Sequence, residues 1–386
     1  MENFKYYNPT KVFFGKDVLE QLCTEISPMG KKALLVIGKN SVKTSGLYAR
    51  VVSLMNICGV SHYTYEGIKA NPIVQHADEA VALAKEKQVS MIIAIGGGSV
   101  IDTAKAIAIG YYVNHSVWDF YTQKVAKPTQ ALPLFTILTL AATGTEMNSG
   151  SVLQHNASGM KLGYSAPCMF PKVSFLDPHL TLTVPANQTA FGISDLISHA
   201  LEQFFGKGES PLSDLYTASV IKLAIKYGQK LMLNLQDYEA REQIMWLATN
   251  ALNGTLKAGK NAGDWGVHDF EHTLSVLYDI AHGAGLSIVY PAWLRHHQPI
   301  INAKLAFLAT KVFDIDESDE NLAASIFIKK LESFYKLIGT PVKLNEVGIL
   351  PSERNTILSN LKFNKVNGSV YTLNETDYEQ ILDRMW

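Results

Sequence analysis

The stretch Met91-Ile92-Ile93-Ala94-Ile95-Gly96-Gly97-Gly98-Ser99 decides how the first half of the chain is interpreted. Residues 91–95 form a short, continuous apolar run, which is typical of a buried parallel strand. A helix is predicted from about Val100 onward, so residues 96–99 form a strand-to-helix turn. Glycines there let the backbone approach a phosphate, and the helix N-terminus offers it free N–H groups. A tight turn without a ligand would also explain the glycines, but the flanking strand and helix favour a phosphate site.

Similar apolar runs occur on both sides of this stretch. Residues 33–37, 60–65 and 134–138 are predicted strands, and helical spacing occurs over residues 46–58 and 72–87. The segment 139–146, which follows a predicted strand, is rich in small and hydroxyl-bearing residues. It could line a ligand crevice or simply cap a helix. The alternation of strands and helices predicts a doubly wound α/β domain.

The pattern changes near residue 185, after which apolar residues recur every three or four positions. This periodicity predicts helices over residues 188–205, 212–233, 239–256 and 321–338. We therefore predict an α/β dinucleotide-binding domain over residues 1–185 and an all-α domain over residues 186–386.

Composition excludes several classes of protein. The chain has 386 residues, of which 18% are charged, and a net charge of −1. It therefore lacks the positive electrostatic potential that would attract nucleic acid or anionic membranes. The N-terminus lacks the apolar segment of a signal peptide, and no apolar run is long enough to span a bilayer. Three scattered cysteines, Cys23, Cys58 and Cys168, argue against a disulfide framework and fit a reducing compartment. We expect a soluble, cytoplasmic protein with neither nucleic-acid nor membrane partners.

Potential metal ligands cluster in the helical half. Asp195 and His199 are four residues apart in a predicted helix, which puts both side chains on one face. His268 and His272 repeat this spacing, and His282 follows ten residues later. A single pair of this kind is more often a capping or surface pair. A carboxylate with several imidazoles, however, suits a divalent first-row metal.

These segments, in this order, resemble the iron-containing alcohol dehydrogenase family, whose relatives include glycerol dehydrogenase and dehydroquinate synthase. The similarity runs over almost the whole chain. Within the family, residues 245–254 and 263–265 are most similar to the branch of NADPH-dependent butanol dehydrogenases and broad-range aldehyde reductases. The segments that carry the family resemblance are residues 8–15, 96–102 with Ala104-Lys105, 142–146, 175–178, Asp195 with His199, His268 with His272, and His282-Gly283.

The resemblance implies an N-terminal α/β cofactor domain, a helical C-terminal domain, a metal in the cleft and usually a homodimer. It implies that Asp195, His199, His268 and His282 hold the metal. His272 would then lie beside the nicotinamide and substrate without being a ligand. Four protein ligands leave room for substrate only if the coordination number rises, which favours Fe²⁺ and leaves Zn²⁺ possible. The residues expected to contact the cofactor are Gly38, Lys39, Asn40, Ser41, Gly96, Gly97, Gly98, Ser99, Asp102, Thr139, Thr143, Asn148 and Lys161.

The function implied is a metal-dependent, NADP(H)-linked alcohol dehydrogenase or aldehyde reductase, acting on small aliphatic aldehydes such as butanal. Many relatives that prefer NAD carry a carboxylate after the first strand of the cofactor domain, where it would bond the ribose 2′-hydroxyl. The turn at residues 38–41 has no carboxylate to repel a 2′-phosphate, and Lys39 could pair with one.

Two other classes of function remain as alternatives. A lyase or cyclase of the dehydroquinate synthase type would need several lysines and arginines for an anionic sugar acid. Residues 191–290 contain six lysines but only one arginine, Arg241, and the lysines of residues 212–233 are spaced as on a solvated helix face. A non-catalytic nucleotide sensor would not need the four-residue ligand set.

Overall fold

The computed structural model describes residues 1–386, and the chain divides into two compact units. The α/β unit comprises Tyr7–Val184, and the helical unit comprises Met1–Tyr6 together with Pro185–Trp386. The backbone N–H of Glu2 donates to the carbonyl of Gly259, which ties the N-terminal segment to the helical unit. The predicted boundary near residue 185 places this segment in the first domain instead.

A six-stranded parallel sheet forms the centre of the α/β unit, in the order β1-β8-β5-β4-β2-β3. A separate hairpin pairs β6 with β7 in antiparallel fashion. The strands are β1 Lys11–Phe14, β2 Lys32–Ile37, β3 Ser61–Tyr65, β4 Met91–Gly96, β5 Leu134–Leu138, β6 Gly150–His155, β7 Met160–Ser165 and β8 Val173–Leu176. The helices are α1 Leu22–Ile26, α2 Ser41–Thr44, α3 Leu47–Ile57, α4 Val74–Lys87, α5 Gly98–Gly110 and α6 Trp118–Tyr121.

The apolar runs become the central strands because helices cover both faces of a parallel sheet. Every residue of β4 and β5 is buried. After β3 the chain returns to the other side of β2 to form β4, so the strand order reverses between β2 and β4. A ligand crevice of a doubly wound sheet lies at the carboxyl ends of the strands beside such a reversal. The predicted α/β fold is confirmed.

The scattered cysteines argued against a disulfide framework, and this expectation is wrong for one pair. Cys23, in α1, and Cys58, immediately after α3, are joined by a disulfide, and their Cα atoms are 5.5 Å apart. Cys168 is free. Tertiary packing brings α1 beside α3. The two cysteines are therefore close in space although they are far apart in sequence.

The helical unit contains eight α-helices, and the predicted helical character of this half is confirmed. One predicted helix ends earlier than expected, at Leu252 rather than residue 256, because the chain turns through Gly254 at a φ of +99°. No helix combines the length and the apolar composition that crossing a bilayer requires. The helices are α7 Ala186–Phe204, α8 Pro211–Leu233, α9 Tyr238–Leu252, α10 Gly266–Tyr278, α11 His282–Phe313, α12 Glu320–Leu337, α13 Arg354–Asn364 and α14 Glu375–Asp383.

Candidate metal centre and cofactor-binding loops

Three of the segments expected to bind the cofactor lie at one edge of the sheet. Because β5, β4 and β2 are adjacent parallel strands, the segments that follow them, beginning at Thr139, Gly97 and Gly38, leave the sheet side by side. The backbone N–H of Thr139 donates to the carbonyl of Gly96 at 3.0 Å, which joins two of these segments directly. This edge includes the reversal between β2 and β4.

Gly98 is explained by packing within the protein. A Cβ atom at this position would lie 2.5 Å from Cγ2 of Thr143, so only glycine permits the contact. Gly97 caps α5, and its carbonyl accepts hydrogen bonds from the N–H groups of Val100 and Ile101. The glycine turn and the Thr143 segment therefore lie against each other. Their contact with a phosphate stays a prediction.

A buried polar network behind this turn contains two of the residues expected to contact the cofactor. Asp102 accepts hydrogen bonds from the Thr145 hydroxyl at 2.6 Å and from the N–H of Val152 at 2.9 Å. The Lys105 ammonium donates to Thr145 at 2.7 Å and to Asn148 Oδ1 at 3.0 Å. Burial lowers the pKa of Lys105 to about 7, although the Asp102 and Glu146 carboxylates oppose this shift. The side chains of Asp102 and Asn148 thus already have partners within the protein.

Lys105 belongs to a segment that carries the family resemblance but is not among the residues expected to contact the cofactor. It also donates to the carbonyl of Gly150 at 2.7 Å, so its ammonium joins α5 to the segment 145–150. The signal in the sequence was a single lysine among the apolar residues from Ala104 to Ile109.

Lys161 and Ser99 both contact the segment before α4. The Lys161 ammonium donates to Asn71 Oδ1 at 3.2 Å, and the Ser99 hydroxyl donates to the carbonyl of Ala70. These contacts hold both side chains beside residues 70–71. Direct contact of either one with the cofactor stays a prediction.

A carboxylate from outside the turn at residues 38–41 lies next to this turn, which local sequence did not reveal. Lys39 is exposed, and its side chain forms no hydrogen bond or ion pair within the protein. Glu66, immediately after β3, forms an ion pair with Lys43, and the N–H of Gly67 donates to the carbonyl of Gly38. The carboxylate therefore enters this region from a neighbouring strand and is partly neutralised by Lys43.

The potential metal ligands converge within the helical unit. Asp195 and His199 lie on α7, His268 lies on α10, and His282 is the first residue of α11. Oδ1 of Asp195 lies 3.6 Å from Nδ1 of His199, and 3.9 Å from both Nε2 of His268 and Nε2 of His282. The His199 and His268 rings are stacked, with centroids 4.8 Å apart. We call this group the four-residue centre.

The chemistry of the four-residue centre fits a divalent metal. Oδ1 of Asp195 and Nε2 of His268 are buried and have no hydrogen-bond partner, which is costly unless a ligand satisfies them. Burial alone would raise the pKa of Asp195, but the surrounding imidazoles lower it to about 2. Burial would lower the pKa of His268, but the carboxylates of Asp195 and Glu202 raise it to about 9. The centre therefore favours a bound positive charge.

His272 lies beside this group. Its ring centroid is 5.8 Å from that of His282, and it forms an alternative ligand set with Glu271 and His282. Glu271, however, already accepts hydrogen bonds from His282 and Ser275. In the set of Asp195, His268 and His282, the atoms that face one another are Oδ1 of Asp195 and Nε2 of each histidine, and none of them accepts these hydrogen bonds. This set therefore fits a metal better.

Two buried glutamates contact the imidazoles of the centre and were not assigned by sequence reasoning. Glu202 follows Asp195 and His199 at a further interval of three, and Glu271 follows His268 at the same interval. The signal was this repetition of polar side chains along the buried face of a helix.

Gly283 is required by the close approach of α11 to α7. A Cβ atom there would lie 2.1 Å from the carbonyl oxygen of Phe191, a backbone atom that cannot move aside cheaply. We expect Gly283→Ala to cost about 3 kcal/mol and to lower Tm by roughly 6–12 °C. It should also weaken metal retention, because His282 is the adjacent residue. Thermal denaturation and metal analysis measure both effects.

Gly163→Ala is the matched control, since a Cβ atom there would meet only ordinary contact at 3.9 Å. An equal Tm for the two variants would show that the approach at Gly283 does not constrain α11.

Comparison with known proteins gives the family. Residues 9–178 match the model of the iron-containing alcohol dehydrogenases, and residues 189–386 match the C-terminal model of the same family. The chain is 42% identical, over 99% of both sequences, to a probable NADH-dependent butanol dehydrogenase of Bacillus subtilis. It is 31% identical to the NADPH-dependent aldehyde reductase YqhD of Escherichia coli, over 94% of this chain and 93% of that protein.

A solved structure agrees with these matches. The NADH-dependent butanol dehydrogenase A of Thermotoga maritima superimposes with a TM-score of 0.96 and 36% identity, covering 100% of this chain and 99% of the other. The chain belongs to the iron-containing alcohol dehydrogenase family, and the resemblance stated from sequence is confirmed. It is thus an oxidoreductase of the alcohol dehydrogenase type.

Proposed function

We propose that the protein is a metal-dependent alcohol dehydrogenase or aldehyde reductase that transfers hydride between NADPH and small aliphatic aldehydes such as butanal. The observation that carries this proposal is the four-residue centre, where two buried donor atoms, Asp195 Oδ1 and His268 Nε2, lack hydrogen-bond partners. The family match supports the same reaction class.

When bound, a divalent metal would stabilise negative charge on the substrate oxygen, and the nicotinamide would exchange hydride with the carbonyl carbon. Asp195, His199, His268 and His282 would hold the metal, with Fe²⁺ favoured over Zn²⁺. His272 lies beside this set, which suits a role in moving the proton to or from the substrate oxygen. A water molecule is the alternative proton carrier.

The proposal is tested by metal analysis of the purified protein together with the loss of NADPH absorbance on addition of butanal. We expect one divalent metal per chain and metal-dependent oxidation of NADPH. A protein that contains the metal but turns over no aldehyde or alcohol in a substrate panel would contradict the proposed reaction.

We expect kcat/KM to be higher with NADPH than with NADH. The turn at residues 38–41 has no carboxylate of its own, and Lys39 is exposed and without an ionic partner. An exposed pair with a 2′-phosphate contributes about 1 kcal/mol, a few-fold in affinity. Lys39→Asp would add repulsion, so it should lower kcat/KM for NADPH and spare that for NADH. Steady-state kinetics with both cofactors measure this.

The matched control is Lys31→Asp, which makes the same charge change at the amino end of β2, the opposite edge of the sheet. Several relatives are named as NADH-dependent, so the parent enzyme is itself a decisive measurement. A parent that favours NADH would overturn the proposed cofactor. An unchanged ratio in Lys39→Asp would remove the role given to Lys39.

We also propose that the protein is a homodimer, as the family resemblance implies, and that it is cytoplasmic, as expected from its sequence. Light scattering after size-exclusion chromatography should give twice the chain mass of 42.5 kDa.

A further inference from the structure

Two carboxylates, those of Glu202 and Glu271, are hydrogen-bonded to two of the imidazoles in the four-residue centre. Glu202 on α7 is 1% exposed and Glu271 on α10 is fully buried. An ionised carboxylate at such depth costs several kcal/mol unless hydrogen bonds compensate for the lost hydration. The partners of each glutamate therefore indicate what it does.

Glu202 contacts both the ring and the backbone of its partner. Its Oε1 lies 2.9 Å from Nδ1 of His268 and accepts from the N–H of His268 at 3.1 Å. Its Oε2 accepts from the N–H of Trp265 at 2.6 Å. Because Trp265 is the N-cap of α10, Glu202 satisfies free N–H groups at a helix N-terminus, where negative charge is also favoured. Glu202 thus has a structural role as well as its contact with His268.

Glu271 contacts His282 through Nδ1, the same ring atom through which Glu202 contacts His268. Nδ1 of His282 is hydrogen-bonded to Oε2 of Glu271, and the hydroxyl of Ser275 donates to Oε1. Ser275 lies one helical turn beyond Glu271 on α10, so it holds the carboxylate in place toward α11.

Both contacts have the same consequence for the imidazole. A carboxylate accepts but does not donate, so in the neutral imidazole, the form that binds a metal, Nδ1 carries the proton and Nε2 keeps its lone pair. In both rings Nε2 is the atom that lies 3.9 Å from Oδ1 of Asp195. The two lone pairs are therefore presented toward one carboxylate oxygen, as a shared metal would require.

We propose that Glu202 and Glu271 are positioning residues that fix the tautomer and orientation of His268 and His282 for metal binding. This inference rests on the proposed function of the four-residue centre. Its experiment therefore measures metal affinity in the parent protein as well as in the variants.

Glu271→Gln is the primary test. Glutamine is close to isosteric and its carbonyl still accepts from His282, but the negative charge that polarises the ring is lost. We expect metal affinity, measured by competition with a chromogenic chelator for Co²⁺, to fall by about 10- to 100-fold. The Co²⁺ absorption spectrum should shift. The Tm of the metal-free protein should not fall, because a buried charge is removed.

Glu202→Gln should also weaken metal binding but should lower Tm, because one amide oxygen cannot accept from both sets of N–H donors.

Glu332→Gln is the matched control, since Glu332 on α12 pairs with Arg295 and Lys336 outside the centre. It should leave the affinity and the spectrum unchanged. A parent that binds no metal would defeat the proposed function itself. A parent that binds Co²⁺ as tightly as Glu271→Gln, with the same spectrum, would overturn this inference alone. Equal losses of affinity in Glu332→Gln and Glu271→Gln would also overturn it, because they would show a general effect of charge.

Discussion

His282→Ala is expected to remove the metal from the purified protein and to abolish turnover. His282 presents Nε2 to Oδ1 of Asp195 at 3.9 Å, the same distance as His268 does, so its loss removes one of the converging donors. It also leaves Glu271 buried without its imidazole partner, an unfavourable charge that further disturbs the centre. Metal content per chain and the rate of NADPH oxidation measure the two effects.

His296→Ala is the control on the same helix. His296 pairs with Asp377 at 3.0 Å and takes no part in the four-residue centre, so its removal should leave the metal content unchanged. Full metal occupancy and near-normal activity in His282→Ala would contradict the assignment of His282 as a ligand.

His272→Ala is expected to keep the metal yet to lose about 10²- to 10⁴-fold in kcat, the usual range when a residue that transfers protons is removed. The physical reason is that His272 lies beside His282 but outside the set of Asp195, His268 and His282. Metal analysis and the pH dependence of kcat distinguish the two roles. The variant should lose an ionisation that the parent shows.

Two results would count against this assignment of His272. Loss of metal from His272→Ala would place the residue among the ligands, in the set with Glu271 and His282. A normal rate with an unchanged pH profile would leave water as the proton carrier.

Local sequence patterns predicted the fold well because the formation of a strand or helix depends mainly on residues that are near one another in sequence. The buried runs of β2, β4 and β5, and the i, i+4 spacing of Asp195 and His199, can be read within a single strand or helix turn. The assignment of His268 and His282 to the same centre rested on family resemblance, since spacing alone cannot show that three helices converge.

The contacts that sequence reasoning missed are long-range ones. Glu202 meets a histidine 66 residues away, and Lys105 meets Asn148 across 43 residues. Cys23 and Cys58 are 35 residues apart. Glu66 approaches the turn at residues 38–41 only because β3 pairs with β2. Each of these partners depends on how elements pack, which periodicity within one element does not describe.

The contact between Gly98 and Thr143 has a consequence for the thermodynamics of ligand binding. Because the glycine turn is already held by a neighbouring side chain, and Lys105 fixes the segment 145–150 behind it, this edge of the sheet is ordered before any ligand arrives. Ordering a mobile loop on binding carries an entropic cost, which a preorganised surface avoids. A nucleotide that binds here would therefore keep more of its interaction free energy as affinity.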